Sequence, residues 1–237
     1  MTYNSADIKA FQNVWVFCEQ RGGVMAPTSA ELLSEGRKLA DNLGAELCGV
    51  LLGNGVDGIA KELGTYGADK VYVYNSPLLE TYTTDAYTKV LEQAVREFKP
   101  EILLFSASRT GRDLAPRCAA RLQTGLCADC THLAVDMDEY MDYLRKESSL
   151  DPDQLDWDQE DYDIRTTLKM SKPAFGEHLM ATIVAPTQAV IIAPTQAVMI
   201  ASTQAAIGVP TQAVMIAPTQ AVLIRFASAG TENAKVV

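Results

Sequence analysis

Apolar residues in the first half of the chain fall into two rhythms that alternate. Val14-Trp15-Val16-Phe17-Cys18 is an unbroken run of aromatic, β-branched and small apolar residues, which predicts a buried first strand. Glu19 to Gly23 then turns the chain. Leu32, Leu33, Gly36, Leu39, Ala40 and Leu43 recur at helical spacing and form one apolar face. Thr28-Ser29-Ala30-Glu31 reads as a capping box in front of that face, and Gly44 as its stop. Leu47 to Leu52 is a second apolar run. Strand, helix and strand together predict a βαβ unit and hence parallel pairing.

The rhythm repeats. A short helix is expected around Gly58 to Leu63, a turn at Tyr66-Gly67-Ala68-Asp69, and a third strand at Val71 to Tyr74. From Tyr82 to Phe98, the residues Tyr87, Val90, Leu91, Ala94, Val95 and Phe98 share a helical face that Pro100 ends. Ile102 to Phe105 is the fourth strand. Four strands and three crossovers predict a doubly wound, mostly parallel α/β sheet of Rossmann-like type.

The segment Ser106 to Thr131 follows that fourth strand, at the strand-to-helix junction where open α/β sheets place ligands or partners. Leu114 to Leu122 has helical composition, with Pro116 near the expected first turn and Thr110 or Asp113 as the expected cap. Arg109, Thr110, Gly111, Arg112, Asp113 and Arg117 form the candidate contact set. A free helix N-terminus flanked by three arginines suits an anion such as a nucleotide phosphate. A subunit contact or internal Arg–carboxylate pairing uses the same residues. The segment is neither a Walker loop nor GxGxxG.

Downstream the patterning changes twice. Residues 136–165 carry twelve carboxylates against three cationic side chains, and without EF-hand spacing they read as a solvated acidic insertion. From Ala185 an octapeptide recurs five times, as APTQAVII, APTQAVMI, ASTQAAIG, VPTQAVMI and APTQAVLI, through Ile224. No charged residue occurs between Ala181 and Ile224, yet a Gln in every copy and a Pro in four interrupt each apolar run, which argues against a membrane span. Short strands joined at the prolines, a poorly ordered tail and an aggregation-prone tract all fit the pattern. The expected organisation is therefore an α/β domain at 1–184, the repeat at 185–224 and a tail at 225–237.

A hydrophobic content of 48% supports a sizeable core over the 237 residues, and the formal charge of −10 argues against nucleic-acid binding. The N-terminus shows no basic segment followed by an apolar one, so a cytoplasmic protein is expected. Five cysteines fit reduced thiols. Cys127-Ala128-Asp129-Cys130 is a CxxC that also invites a redox or zinc reading, although His132 and His178 are not at finger spacing. No catalytic nucleophile, general base or metal site is proposed.

Several of these segments carry a resemblance. Ala26-Pro27 with Glu31-Leu32-Leu33 and Gly36-Arg37-Lys38-Leu39-Ala40 form the first, and Tyr66-Gly67-Ala68-Asp69-Lys70-Val71-Tyr72 the second. Gly111-Arg112-Asp113-Leu114-Ala115-Pro116-Arg117, Ala120-Arg121-Leu122, Thr124-Gly125-Leu126 and Asp129-Cys130 follow in order. With Pro173-Ala174-Phe175-Gly176 and Met180-Ala181-Thr182-Ile183, the segments cover about residues 12–186. They resemble the N-terminal domain of the electron transfer flavoprotein alpha subunit. That resemblance implies an adenine nucleotide alpha hydrolase-like fold and a scaffold role beside a beta subunit. It also implies electron transfer through FAD between acyl-CoA dehydrogenases and an acceptor.

The acidic insertion, with Tyr140, Tyr143 and Leu144, is similar to the variant of anaerobic bacteria whose flavoproteins bifurcate electrons from NADH. The family's FAD domain is expected to have no counterpart in this sequence. The octads stand in its place, no FAD ligand is carried over, and none is expected on this chain alone. Glu177 stands where the family usually has a second glycine. The expectation is an electron carrier subunit, not an enzyme, that has lost its flavin domain. An adenine-nucleotide-binding module and a degenerate gene product are the alternatives.

Overall fold

The computed structural model describes residues 10–147, 152–154, 167–174, 179–185, 190–194, 216–217, 220–225 and 235–236. The first strand, β1 (Val14–Phe17), is buried along its whole length. A two-strand ribbon follows, β2 (Gln20–Arg21) and β3 (Val24–Met25), and leads into α1 (Pro27–Leu43). Next come β4 (Leu47–Gly53), the single turn α2 (Asp57–Ala60), β5 (Lys70–Asn75), α3 (Thr84–Phe98), β6 (Ile102–Leu104) and α4 (Arg109–Leu122).

β1 alternates its side chains between two helical layers. On one face, α1 comes close enough that a Cβ on Gly36 would lie 3.1 Å from Val16 Cγ2 and 2.8 Å from Leu47 Cδ1. On the other, Trp15 meets Phe98 of α3 at 6.0 Å between ring centroids and Phe17 meets Tyr87 at 6.5 Å. Helices on both faces make the sheet doubly wound, and burial on both faces explains why its strands read as unbroken apolar runs.

The strands β5, β4, β1 and β6 lie side by side, all parallel. Beyond β6 comes β11 (Val190–Pro194), parallel to it and to the last strand, β7 (Leu126–Cys130). Thus the first octad, with its apolar triplet Val190-Ile191-Ile192, supplies a strand of the central sheet. At the opposite end, β12 (Ile216–Ala217), β13 (Gln220–Arg225) and β14 (Lys235–Val236) continue the sheet through antiparallel pairs, with β13 on β5. The other octad residues, and Glu177, lie outside the described residues.

A second sheet joins β8 (His132–Ala134), β9 (Leu168–Ala174) and β10 (Leu179–Ala185), all antiparallel. Part of the acidic segment is α5 (Met137–Glu147), whose Tyr140 and Leu144 bury themselves against Ala134. Residues 155–166 lie outside the described residues. Lys169 is fully buried here, its ammonium donating to the carbonyls of Val135 at 2.7 Å and Thr167 at 2.8 Å. The His132 ring stacks on Tyr143 at 3.9 Å and 5°.

Helix boundaries differ from the sequence expectation. The capping box does not form, because α1 begins with Pro27 in its first turn and extended Ala26 as an N-cap without a side-chain bond. Proline favours an extended residue before it and is suited to a first turn, which moves the start upstream. Thr28 is then helical, with a buried Oγ1 that has no hydrogen-bond partner among the described residues, and Ser29 turns inward instead. Helix α3 starts at Thr84 rather than Tyr82, whose hydroxyl donates to Asp113 at 2.5 Å.

Two outcomes test this packing. Leu51→Ala, at a fully buried β4 position, is expected to lower stability by about 2–5 kcal/mol, and Leu78→Ala, on an exposed turn, by no more than about 0.5 kcal/mol in denaturant titrations. Burial lowers the His132 pKa from 6.5 to about 4, so the folded chain favours neutral imidazole. On acidification the unfolded chain takes up its proton first. The contribution to stability is therefore complete above about pH 6.5 and is lost as pH falls towards 4. An NMR titration of His132 should show its ring protonating near pH 4, and a midpoint near 6.5 would contradict the buried stack.

Candidate functional site

From β1 the chain steps to β4 and β5 on one side, then returns to β6 on the other side of β1. Neighbouring strands whose crossovers depart in opposite directions leave a crevice beyond their C-terminal ends, the usual ligand position in an open α/β sheet. Glu19 lies just past β1 at this point, and Ser106 and Ser108 lie just past β6.

Their side chains meet. Glu19 is 7% exposed, and its carboxylate accepts the Ser106 hydroxyl at 3.2 Å and the Ser108 hydroxyl. Ser108 also caps α4, its Oγ accepting the Gly111 N–H at 3.0 Å. The Glu19 backbone is fixed from the other side, its N–H on Ser29 Oγ at 2.8 Å and its carbonyl accepting from the Ala26 N–H at 2.8 Å. The carboxylate therefore stands, through Ser108, at the positive end of α4, where a negative charge is stabilised by about 0.3–2 kcal/mol.

Gly111 makes this approach feasible. A Cβ there would lie 1.8 Å from the Ser106 carbonyl oxygen, a backbone atom that cannot move aside without displacing the β6–α4 loop. The cap is Ser108 rather than Thr110 or Asp113, and α4 starts at Arg109, earlier than composition suggested. Pro116 thus sits inside the helix, where its missing N–H leaves the Arg112 carbonyl without the usual partner.

The sequence-selected residues do not converge on one centre. Arg109 is exposed, with no ion pair among the described residues. Arg112 points towards β7, pairing with Asp129 at 2.8 Å and donating to the Ala107 carbonyl at 3.2 Å. Arg117 and Asp113 face α3 instead. Arg117 pairs with Asp85 at 2.8 Å, while Asp113 accepts from Thr84 and Tyr82 at 2.5 Å each. Those hydroxyls hold the Asp113 carboxyl below its ordinary pKa, and Asp85 raises that of Arg117. Thr110 is buried beside the crevice.

Glu19 is the residue that sequence reasoning missed, having been read only as part of a turn. Its signal is an acidic residue directly after the first buried strand, where its charge needs a partner.

The crevice contains a pocket of about 300 Å³ whose lining includes Phe17, Glu19, Gln20, Leu52, Tyr87 and Thr110. Two of its polar side chains are engaged with backbone carbonyls, while Arg21 and Thr81 also line it. Gln20 donates to the Leu52 carbonyl at 2.8 Å, and the Tyr87 hydroxyl lies 2.9 Å from the Leu79 carbonyl and 3.2 Å from that of Leu52. Burial pushes the Tyr87 hydroxyl up to about 12, so it serves as a donor and not as a base. Among the described residues no three His, Cys, Asp or Glu side chains cluster as a metal site, and no helix is long and apolar enough to cross a membrane.

Substitution at this junction should be costly. Gly111→Ala is expected to lower the melting temperature well beyond the gain of about 1 kcal/mol that alanine usually brings to a helix interior. Glu19→Ala, which leaves the Ser106 and Ser108 hydroxyls without their acceptor, is expected to cost about 1–3 kcal/mol. Thermal unfolding of both variants beside the unsubstituted chain measures these losses, and unchanged melting of Gly111→Ala would contradict the contact.

Residues 14–149 match the family model described as electron transfer flavoprotein domain. The acryloyl-CoA reductase electron transfer subunit beta of Anaerotignum propionicum is 59% identical over 186 residues, which are 78% of this chain and 50% of that protein. The electron transfer flavoprotein subunit alpha of Thermoanaerobacterium thermosaccharolyticum is 42% identical over 176 residues, 74% of this chain and 45% of its own. Protein FixB of Clostridium saccharobutylicum is 45% identical over 180 residues, 76% and 46% of the respective chains. The chain thus spans about half the length of the curated relatives it matches. The matched region holds β1 to α5, the unit with the Glu19 junction, and the chain belongs to the electron transfer flavoprotein family.

Proposed function

We propose that this α/β unit is the scaffold half of a heterodimer, docking a beta subunit so that electrons pass through FAD between an acyl-CoA dehydrogenase and an acceptor. The flavin is held by the complex and not by the junction described above. The observation that carries this reading is the buried Glu19 carboxylate at the start of α4. A dinucleotide's pyrophosphate seeks such a helix N-terminus, and here that place already carries a negative charge. A pocket of about 300 Å³ is also at the lower limit of small-molecule sites, about 300–1,000 Å³, and FAD is a large ligand. These residues do not fit FAD, and no chemical step is assigned to them. The reading places the complex in the cytoplasm.

A second reading, an adenine-nucleotide-binding module, would use the same pocket, and its position at the strand ends favours it. Arg112 and Arg117 count against it, since a phosphate would have to displace Asp129 and Asp85.

Co-expression with an electron transfer flavoprotein beta subunit tests the proposal. The expected result is co-elution of the two chains on size exclusion and no stoichiometric flavin absorbance from this chain alone. A full flavin band on the isolated chain, or two chains that elute apart, would overturn it. Saturable heat on titrating AMP that disappears in Arg21→Ala, at a residue lining this pocket, would favour the second reading.

A further inference from the structure

In a regular strand, residues three apart point to opposite faces and lie about 10 Å apart along the strand. Cys127 and Cys130 are three apart in β7, yet their sulfurs are separated by 3.2 Å. A bulge accounts for this. Against β11, Ala128 pairs with Ala193 and Cys130 with Pro194, so Asp129 is an extra residue in the ladder. Asp129 takes a left-handed backbone, φ 59°, which is costly for a residue with a side chain. Ala128 and Asp129 both face α4, where they line a pocket of about 250 Å³ with Arg112, Ala115 and Leu126. The extra residue returns Cys130 to the face of Cys127, and the Arg112–Asp129 ion pair at 2.8 Å holds the bulge from the helix side.

All five cysteines are buried; the other three are dispersed, and burial pushes up the thiol pKa of Cys18, Cys48 and Cys118. The β7 pair differs. Cys130 donates its S–H to the Cys127 sulfur, which lowers the Cys127 pKa and raises that of Cys130, with Lys172 further favouring the thiolate at Cys127. Approach by about 1 Å brings the sulfurs to the S–S bonding distance of about 2.05 Å. Among the described strands β7 is also the terminal one of the central sheet, so local opening at this edge admits a reagent to the buried pair at less cost than in the sheet centre.

We propose that Cys127 and Cys130 form a redox-responsive dithiol that closes to an intramolecular disulfide by exchange with a low-molecular-weight disulfide. Cys127 loses its proton and attacks one sulfur of the external disulfide, expelling one thiolate and forming a mixed disulfide. Cys130 then loses its proton and attacks the Cys127 sulfur, closing the internal bond and expelling the second thiolate. The protein thiols give up two electrons, the external disulfide takes them, and the two protons complete its two thiols.

The test uses the full chain, incubated folded with oxidised glutathione, quenched in acid, alkylated in denaturant and mapped by mass spectrometry. Alkylatable thiols are expected to fall from five to three, with the loss confined to the peptide spanning Cys127 and Cys130. That peptide should be lighter by two hydrogen atoms, and dithiothreitol should restore all five thiols. Cys130→Ser should instead stop at one glutathionyl group on Cys127. If this variant does not fold, the map of the unsubstituted chain decides alone. Retention of all five thiols, loss spread over Cys18, Cys48 or Cys118, or a mixed disulfide that persists on Cys127 of the unsubstituted chain would each overturn the proposal.

Discussion

A carboxylate that leaves water needs hydrogen bonds or an opposing charge, and Glu19 finds both at the end of β1. The Ser106 and Ser108 hydroxyls donate to it, and through Ser108 it stands at the positive end of α4. This contact ties the two strands flanking the switch point, β1 and β6, to the helix that leaves it. It also ties the junction to α1, because the Glu19 backbone bonds Ser29 and Ala26. Gly111 is required by the same geometry, since only a residue without Cβ lets the first turn of α4 close over the Ser106 carbonyl. Where related architectures leave a helix N-terminus free for a ligand, this chain places its own carboxylate, and that is the physical ground on which the scaffold role is proposed.

The four leading strands and the long helices were legible because burial on both faces of a parallel sheet leaves uninterrupted apolar runs, and amphipathic helices repeat near 3.6 residues. Helix starts were less so. Thr28 and Glu31 have a capping box's chemistry, but Pro27 fixes an earlier start, and local sequence does not rank the two signals. At α4 the cap was sought at Thr110 or Asp113 and is Ser108, because Asp113 is drawn to Tyr82 and Thr84 across the gap to α3. The arginines stand out in the sequence only as charged groups near a junction. Their partners, Asp129 and Asp85, are distant in sequence or on another helix, and only the fold shows that Arg112 and Arg117 point apart.

The bulge in β7 and the strand β11 illustrate the same limit. An isolated CxxC does not announce whether its thiols meet. Here they meet because one residue, Asp129, is extruded from the ladder against β11. β11 itself comes from the first octad, a repeat whose apolar triplets suit a doubly buried strand. The place of that triplet between β6 and β7 is set by long-range pairing that no local pattern specifies.

The central claim is that Glu19 occupies the anion position of the α4 N-terminus. Calorimetric titration of inorganic phosphate into the unsubstituted chain and into Glu19→Ala tests it most directly. The account predicts no saturable heat for the unsubstituted chain and measurable binding once the carboxylate is removed. Saturable phosphate binding by the unsubstituted chain that is no tighter in Glu19→Ala would contradict it.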